Sequence, residues 1–141
     1  MPPAAPVSPA ISARIIHAAL VLGVMLFTAM AWYVGTASST PVSALPERRV
    51  LYLGLFVVSA VLFGAAMYTG ARLTPAGSPL SEDEWWKANL GRAIGIWALV
   101  EAPALLGIVA YLLTSDFRTL IAPFTGLLLF VNYRPSRLAE G

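Results

Sequence analysis

Four long stretches of this chain carry almost no charge, and ionisable residues bound them. They run from Ile15 to Gly35, from Val50 to Ala71 between Arg49 and Arg72, from Ala93 to Ser115 between Arg92 and Asp116, and from Thr119 to Tyr133 between Arg118 and Arg134. A helix that crosses lipid needs about 20 mainly apolar residues and satisfies its backbone hydrogen bonds internally, so runs of this kind read as membrane spans. The first three are long enough. The fourth has about 15 residues and reaches roughly 22 Å at the rise of an α-helix. It crosses only with tilt, local thinning of the bilayer, or outward reach of Arg118 and Arg134, and a re-entrant segment is the alternative.

Composition supports lipid as the solvent. Of 141 residues, 58% are hydrophobic and 11% charged, a balance for which a water-soluble domain of this size has no place to hide its apolar surface. The formal charge is +2, and the basic residues flank apolar runs without forming a stripe, which argues against nucleic-acid binding. Cysteine is absent, which excludes disulfides, thiolate catalysis and cysteine-held metal.

The expected fold is therefore all-α, an integral membrane bundle of four transmembrane helices at about 11–35, 50–71, 82–115 and 119–133. These fill a domain of residues 11–134, between a proline-rich disordered tail (1–10) and a short C-terminal tail (135–141). The first and third helices align at a constant offset, Ile15, Ala19, Leu20, Val21, Leu26 and Ala31 matching Ile94, Ala98, Leu99, Val100, Leu105 and Ala110. The alignment suggests two helical hairpins related by duplication.

Basic residues near helix ends are retained in the cytoplasm. One side of the four-pass arrangement holds Arg14, Arg72, Lys87, Arg92, Arg134 and Arg137, and the other holds Arg48, Arg49 and Arg118. Both termini are expected in the cytoplasm, with the chain in a bacterial inner (plasma) membrane. Tyr68, Trp85, Trp86 and Tyr133 would anchor the cytoplasmic interface, and Trp32, Tyr33, Tyr52, Tyr111 and Phe117 the other. The first run ends in Trp32-Tyr33 and is too long for a typical cleaved secretory signal.

Local signals mark where helices begin. Ser8-Pro9 has the form of a cap and a first-turn proline. Pro41 and Pro46 mark an irregular external loop. After Pro75, Gly77 and Pro79, Ser81 and Glu84 stand at capping-box spacing with an acidic first turn, and Trp85-Trp86-Lys87 then reads as a surface turn entering the membrane. Gly91 and Gly95 form a GxxxG pair that Ala98 and Ala102 extend, and Ala60 and Gly64 provide a small face on the second helix. These faces are candidates for a tight contact between the two helices.

Glu101 is the residue in the most expensive place. It lies about 12 residues past the membrane entry near Asn89, roughly 18 Å deep and close to the midplane. An intramembrane carboxyl must face protein or water, be protonated, or find a partner, and it marks a possible ion or proton site. Pro103 removes an N–H from the same helix and leaves the Leu99 carbonyl without its usual donor, so a kink is expected, and a protonated Glu101 is a candidate donor to that carbonyl. Thr28, Ser59 and Thr125 fall near the middle of the other helices, so a polar cluster around Glu101 is a second expectation. His17, the sole histidine, sits nearer the cytoplasmic end, where a structural role outweighs a relay to Glu101 or a metal.

The stretch Ala98-Leu-Val-Glu101-Ala-Pro103-Ala-Leu-Leu-Gly107-Ile-Val resembles the carboxylate-bearing helix of the proteolipid c subunits of rotary ATP synthases. That resemblance implies that Glu101 binds a proton or sodium ion within a ring of helices. It covers one helix of four. The glycine-dense first helix of that family has no counterpart in Ile15 to Gly35, and Trp97 is bulky for a tight ring. The whole chain resembles small four-helix bacterial membrane proteins, a likeness that implies no activity. Paired acids, a nucleophile with its base, and a metal-ligand set are missing from the sequence, so neither an enzyme nor a cofactor is expected. The sequence points first to a non-enzymatic accessory or structural membrane subunit. The alternative is a proton- or cation-translocating proteolipid-like subunit using Glu101. The expected partners are the bilayer, other membrane subunits or a second copy of the chain.

Overall fold

A computed structural model describes residues 7–37, 48–73 and 81–140. Pro41, Pro46, Pro75, Gly77 and Pro79, and the first six residues of the expected tail, lie outside that set. The regular elements are α1 (Pro9–Ala37), α2 (Arg48–Ala71), α3 (Glu82–Thr114), a 3-10 turn (Phe117–Leu120), α4 (Ile121–Asn132) and α5 (Pro135–Glu140), and among the described residues all regular structure is helical. α1, α2 and α3 are long and apolar enough to cross a membrane, and Phe117–Asn132 forms a shorter apolar helix.

Helix boundaries follow the local chemistry. Ser81 caps α3, its hydroxyl accepting from the Glu84 amide at 3.4 Å, while the Glu84 carboxylate accepts from the Ser81 amide at 3.0 Å. The capping box forms as the spacing predicts. At the other end Ser115 adopts a left-handed conformation (φ 51°) and returns its N–H to the Tyr111 carbonyl at 2.7 Å. Asp116 then accepts from the Arg118 amide at 2.9 Å, which starts the 3-10 turn. α1 begins at Pro9, where the Ser8-Pro9 signal stands and two residues inside the expected tail, but Ser8 does not cap it through its own hydroxyl. That hydroxyl donates to the Asp83 carboxylate, which also accepts from the Ala10 amide at 3.4 Å, so an acid on α3 serves the start of α1. Arg14 and Glu82 close the same corner with a 2.7 Å ion pair.

α3 is the helix on which the others rest. Half of its apolar stretch is buried, against 11% for α1 and 6% for α2. α1 runs parallel to it, tied at the N-terminal corner by Arg14–Glu82 and at the other end by Gly35, which abuts the Tyr111 ring. α2 runs antiparallel, with the Tyr52 hydroxyl donating to Asp116 just beyond the end of α3 at 2.8 Å. α4 returns alongside α3 where both helices are narrowest. A Cβ on Gly107 would stand 2.7 Å from the Thr119 carbonyl oxygen and 2.8 Å from the Ala122 Cβ, and a Cβ on Gly126 would stand 3.0 Å from the Ala104 Cβ.

Three expectations need correction. The first two helices do not form a hairpin, because α1 and α2 each lean on α3 and make little contact with one another. The small faces do not bring α2 against α3, since Ala60, Gly64, Gly91, Gly95, Ala98 and Ala102 are all exposed and Cβ atoms on the three glycines would meet nothing. Close approach is needed where α4 crosses, and Gly107, Gly126 and Ala104 provide it. Trp85 and Trp86 are core residues and not surface anchors, packed with Ala10, Ala13 and Leu138. They are covered because the C-terminal residues are not merely a tail: Pro135 opens α5, which touches α1 and α3 and buries Leu138.

Gly107→Ala is expected to lower stability by about 1–3 kcal/mol through overpacking against backbone, whereas Gly95→Ala is expected to be neutral or slightly stabilising. Thermal unfolding of the two variants in detergent micelles measures the difference. Equal midpoints would contradict this placement of α4.

Candidate functional site

Glu101 sits on the boundary between two faces of α3. One turn before it Trp97 is buried and Ala98 exposed, and one turn after it Ala104 is buried and Leu105 half-buried. The buried face carries Ala93, Ile96, Val100, Gly107 and Tyr111 toward the bundle, and the outer face carries Gly91, Gly95, Ala98, Ala102 and Val109. Helical spacing alone places the small residues together on the outward side, since positions three and four apart share a face. The Glu101 carboxyl is half-buried at the edge of that face and makes no hydrogen bond or ion pair among the described residues.

The expected polar cluster does not assemble around it. Thr28 donates to the Val24 carbonyl of its own helix at 2.7 Å, which satisfies the hydroxyl locally. Ser59 and Thr125 both line a groove between α2 and α4, which Glu101 does not line. Nor does Glu101 donate to the Leu99 carbonyl. α3 continues as α-helix through Pro103, whose ring is fully buried.

His17 has a partner other than Glu101. Its Nε2 lies 3.0 Å from the Phe130 carbonyl oxygen, which identifies Nε2 as the protonated, donating nitrogen. The ring is held edge-on by Trp97 and Phe130, at centroid distances of 5.1 and 5.6 Å. Trp97 itself donates from Nε1 to the Tyr133 carbonyl at 2.9 Å. The last carbonyls of an α-helix have no donor within it, so α1 and α3 each lend a ring N–H to the C-terminal end of α4. This arrangement was hidden in the sequence, where Trp97 reads only as bulk. The available signal was that an indole N–H within an apolar helix usually finds an acceptor, as Trp97 does and the buried Trp86 does not among the described residues, and a short following helix leaves carbonyls free.

A groove opens between α2 and α4, with a volume of about 440 Å³. Its walls are apolar, from Leu55, Phe56 and Phe63 on one side and Ile121 and Ala122 on the other. Tyr52 and Arg118 stand at one end. Ser59 is 9% exposed, and its hydroxyl oxygen is buried without a hydrogen-bond partner. Among the described residues no three His, Asp or Glu side chains gather as metal ligands would.

Comparison with protein-family models, with curated proteins and with solved structures returns no match.

Trp97→Phe is expected to destabilise the fold by about 1–3 kcal/mol, because it strands the buried Tyr133 carbonyl. Trp32→Phe, at a half-exposed ring, is expected to change little. Denaturant unfolding in mixed micelles separates the two, and an unaltered midpoint for Trp97→Phe would show that the carbonyl needs no donor.

Proposed function

We propose that this chain is a non-enzymatic accessory subunit of a bacterial inner-membrane assembly. In this reading it crosses the bilayer four times with both termini in the cytoplasm, and it meets its partner through the outer face of α3. One observation carries the proposal: the mid-helix carboxyl of Glu101 has no partner within the described chain and borders an uncovered small-residue face. Inside a bilayer an unpaired acid is costly, and small residues let a second helix approach closely enough to hydrogen-bond it. A neighbouring membrane helix, from another subunit or a second copy, meets both needs.

The parallel course of α1 and α3 and the antiparallel course of α2 and α4 support the even number of passes. They bring the starts of α1 and α3 to the end of the bundle where α5 packs. The partial exposure of Glu101 also favours the second reading, a proton- or cation-handling subunit, because an ion must reach the group from outside the bundle. The local resemblance of α3 to proteolipid c subunits points the same way.

Photo-crosslinking in native membranes separates these readings from a free-standing bundle. A photoreactive residue at Ala98 is expected to give a discrete protein adduct, whereas one at Leu22 on the outer side of α1 is expected to give lipid adducts only. Glu101→Leu is expected to weaken the Ala98 adduct about fivefold or more, the worth of roughly one interhelical hydrogen bond, and Glu101→Gln to preserve it. Exclusive lipid labelling at Ala98 would refute the proposal. Loss of proton flux in Glu101→Gln vesicles, with the adduct intact, would establish the second reading.

A further inference from the structure

We propose that the groove between α2 and α4 is a binding site for one anionic phospholipid, with an acyl chain along the groove and its phosphate at Arg118. The groove exists because α2 and α4 both rest on α3 yet make little contact with each other. Its α2 wall is one stripe at helical spacing, from Tyr52 through Phe56 and Ser59 to Phe63. That stripe is about 16 Å long at the rise of an α-helix, close to half of the roughly 30 Å hydrocarbon thickness, and so matches one leaflet. An acyl chain has the shape and polarity of such a slot. A transmembrane helix would need it to continue through the second leaflet.

The basic group at the mouth is placed as an anionic phospholipid requires. Arg118 is exposed at the mouth and has no carboxylate partner among the described residues. A guanidinium there matches a phosphate in charge and in donor geometry. The nearby Asp116 keeps its charge but turns its oxygens to protein donors, accepting from the Tyr52 hydroxyl and from the Arg118 amide. About 10 Å further in, two helical turns from Tyr52 and at the depth of the acyl chain, the Ser59 hydroxyl is buried without a hydrogen-bond partner among the described residues. Leaving it so costs free energy. Thr125 faces the same space from α4.

The full chain in lipid vesicles provides the test. Phosphatidylglycerol or phosphatidylcholine carrying a diazirine near the end of one acyl chain is photolysed, and the adducts are mapped by mass spectrometry. Phosphatidylglycerol adducts are expected to concentrate on α2 residues 55–63 and α4 residues 121–125, and to exceed the phosphatidylcholine adducts there. Arg118→Gln is expected to reduce that preference about fivefold, the effect of one basic residue at an anionic surface. Ala60→Phe fills the groove from an exposed position, and is expected to remove these adducts while leaving those at Leu22 and Met25 unchanged. Adducts spread evenly over all exposed faces without headgroup preference would mean ordinary boundary lipid and overturn the proposal. Absence of groove adducts from either lipid, with those at Leu22 and Met25 retained, would overturn it in favour of an occupant that excludes lipid.

Discussion

Close packing against α3 is the constraint from which the remaining geometry follows. α1, α2 and α4 each bury their inner sides on this one helix, and α4 can do so only because Gly107 presents no Cβ to the Thr119 carbonyl and the neighbouring Pro123 and Ala122. In lipid the hydrophobic effect gives helices little reason to associate, so shape fit and hydrogen bonding decide which faces meet. Here both are concentrated along the buried side of α3. The opposite side, with Gly91, Gly95, Ala98 and Ala102, is uncovered among the described residues.

The ends of the short fourth helix show the same economy. Its first turn is prepared by Asp116 and the 3-10 turn, and its last carbonyls accept from His17 and Trp97 on the two neighbouring helices. A helix of twelve residues has little propensity-based stability of its own, so donors from α1 and α3 fix its position. His17 is thereby assigned a structural task. Glu101 is set apart from it, since the only histidine is engaged with α4 on the inner side while the carboxyl stands at the outer edge.

The sequence made the helices legible because their cause is local. Charge-free length and the Ser81–Glu84 capping box place α3 to within one residue, and charge-free length places α1 to within two at each end. The way the helices meet was far less legible. Small residues at Gly91 and Gly95 look identical in sequence to those at Gly107 and Gly126, yet the first pair faces outward and the second admits α4, a distinction set by which face the chain turns toward its neighbours. Trp85 and Trp86 resembled interface anchors because the cover over them comes from the far end of the chain, at Leu138. Ser59 and Thr125 were recognised as mid-helix polar groups, but their association with a groove rather than with Glu101 depends on the splay of α2 from α4.

The claim that α3 is the inner helix with one uncovered side is tested most directly by accessibility along it. The chain lacks cysteine, so single cysteines can be introduced from residue 91 to residue 113, spin-labelled, and measured for collision with oxygen in vesicles dilute enough to keep the chain monomeric. The account predicts a helical period, with high collision rates at residues 95, 98, 102 and 109 and low rates at 93, 97, 100, 104 and 107. A flat profile, or one with the opposite phase, would contradict it.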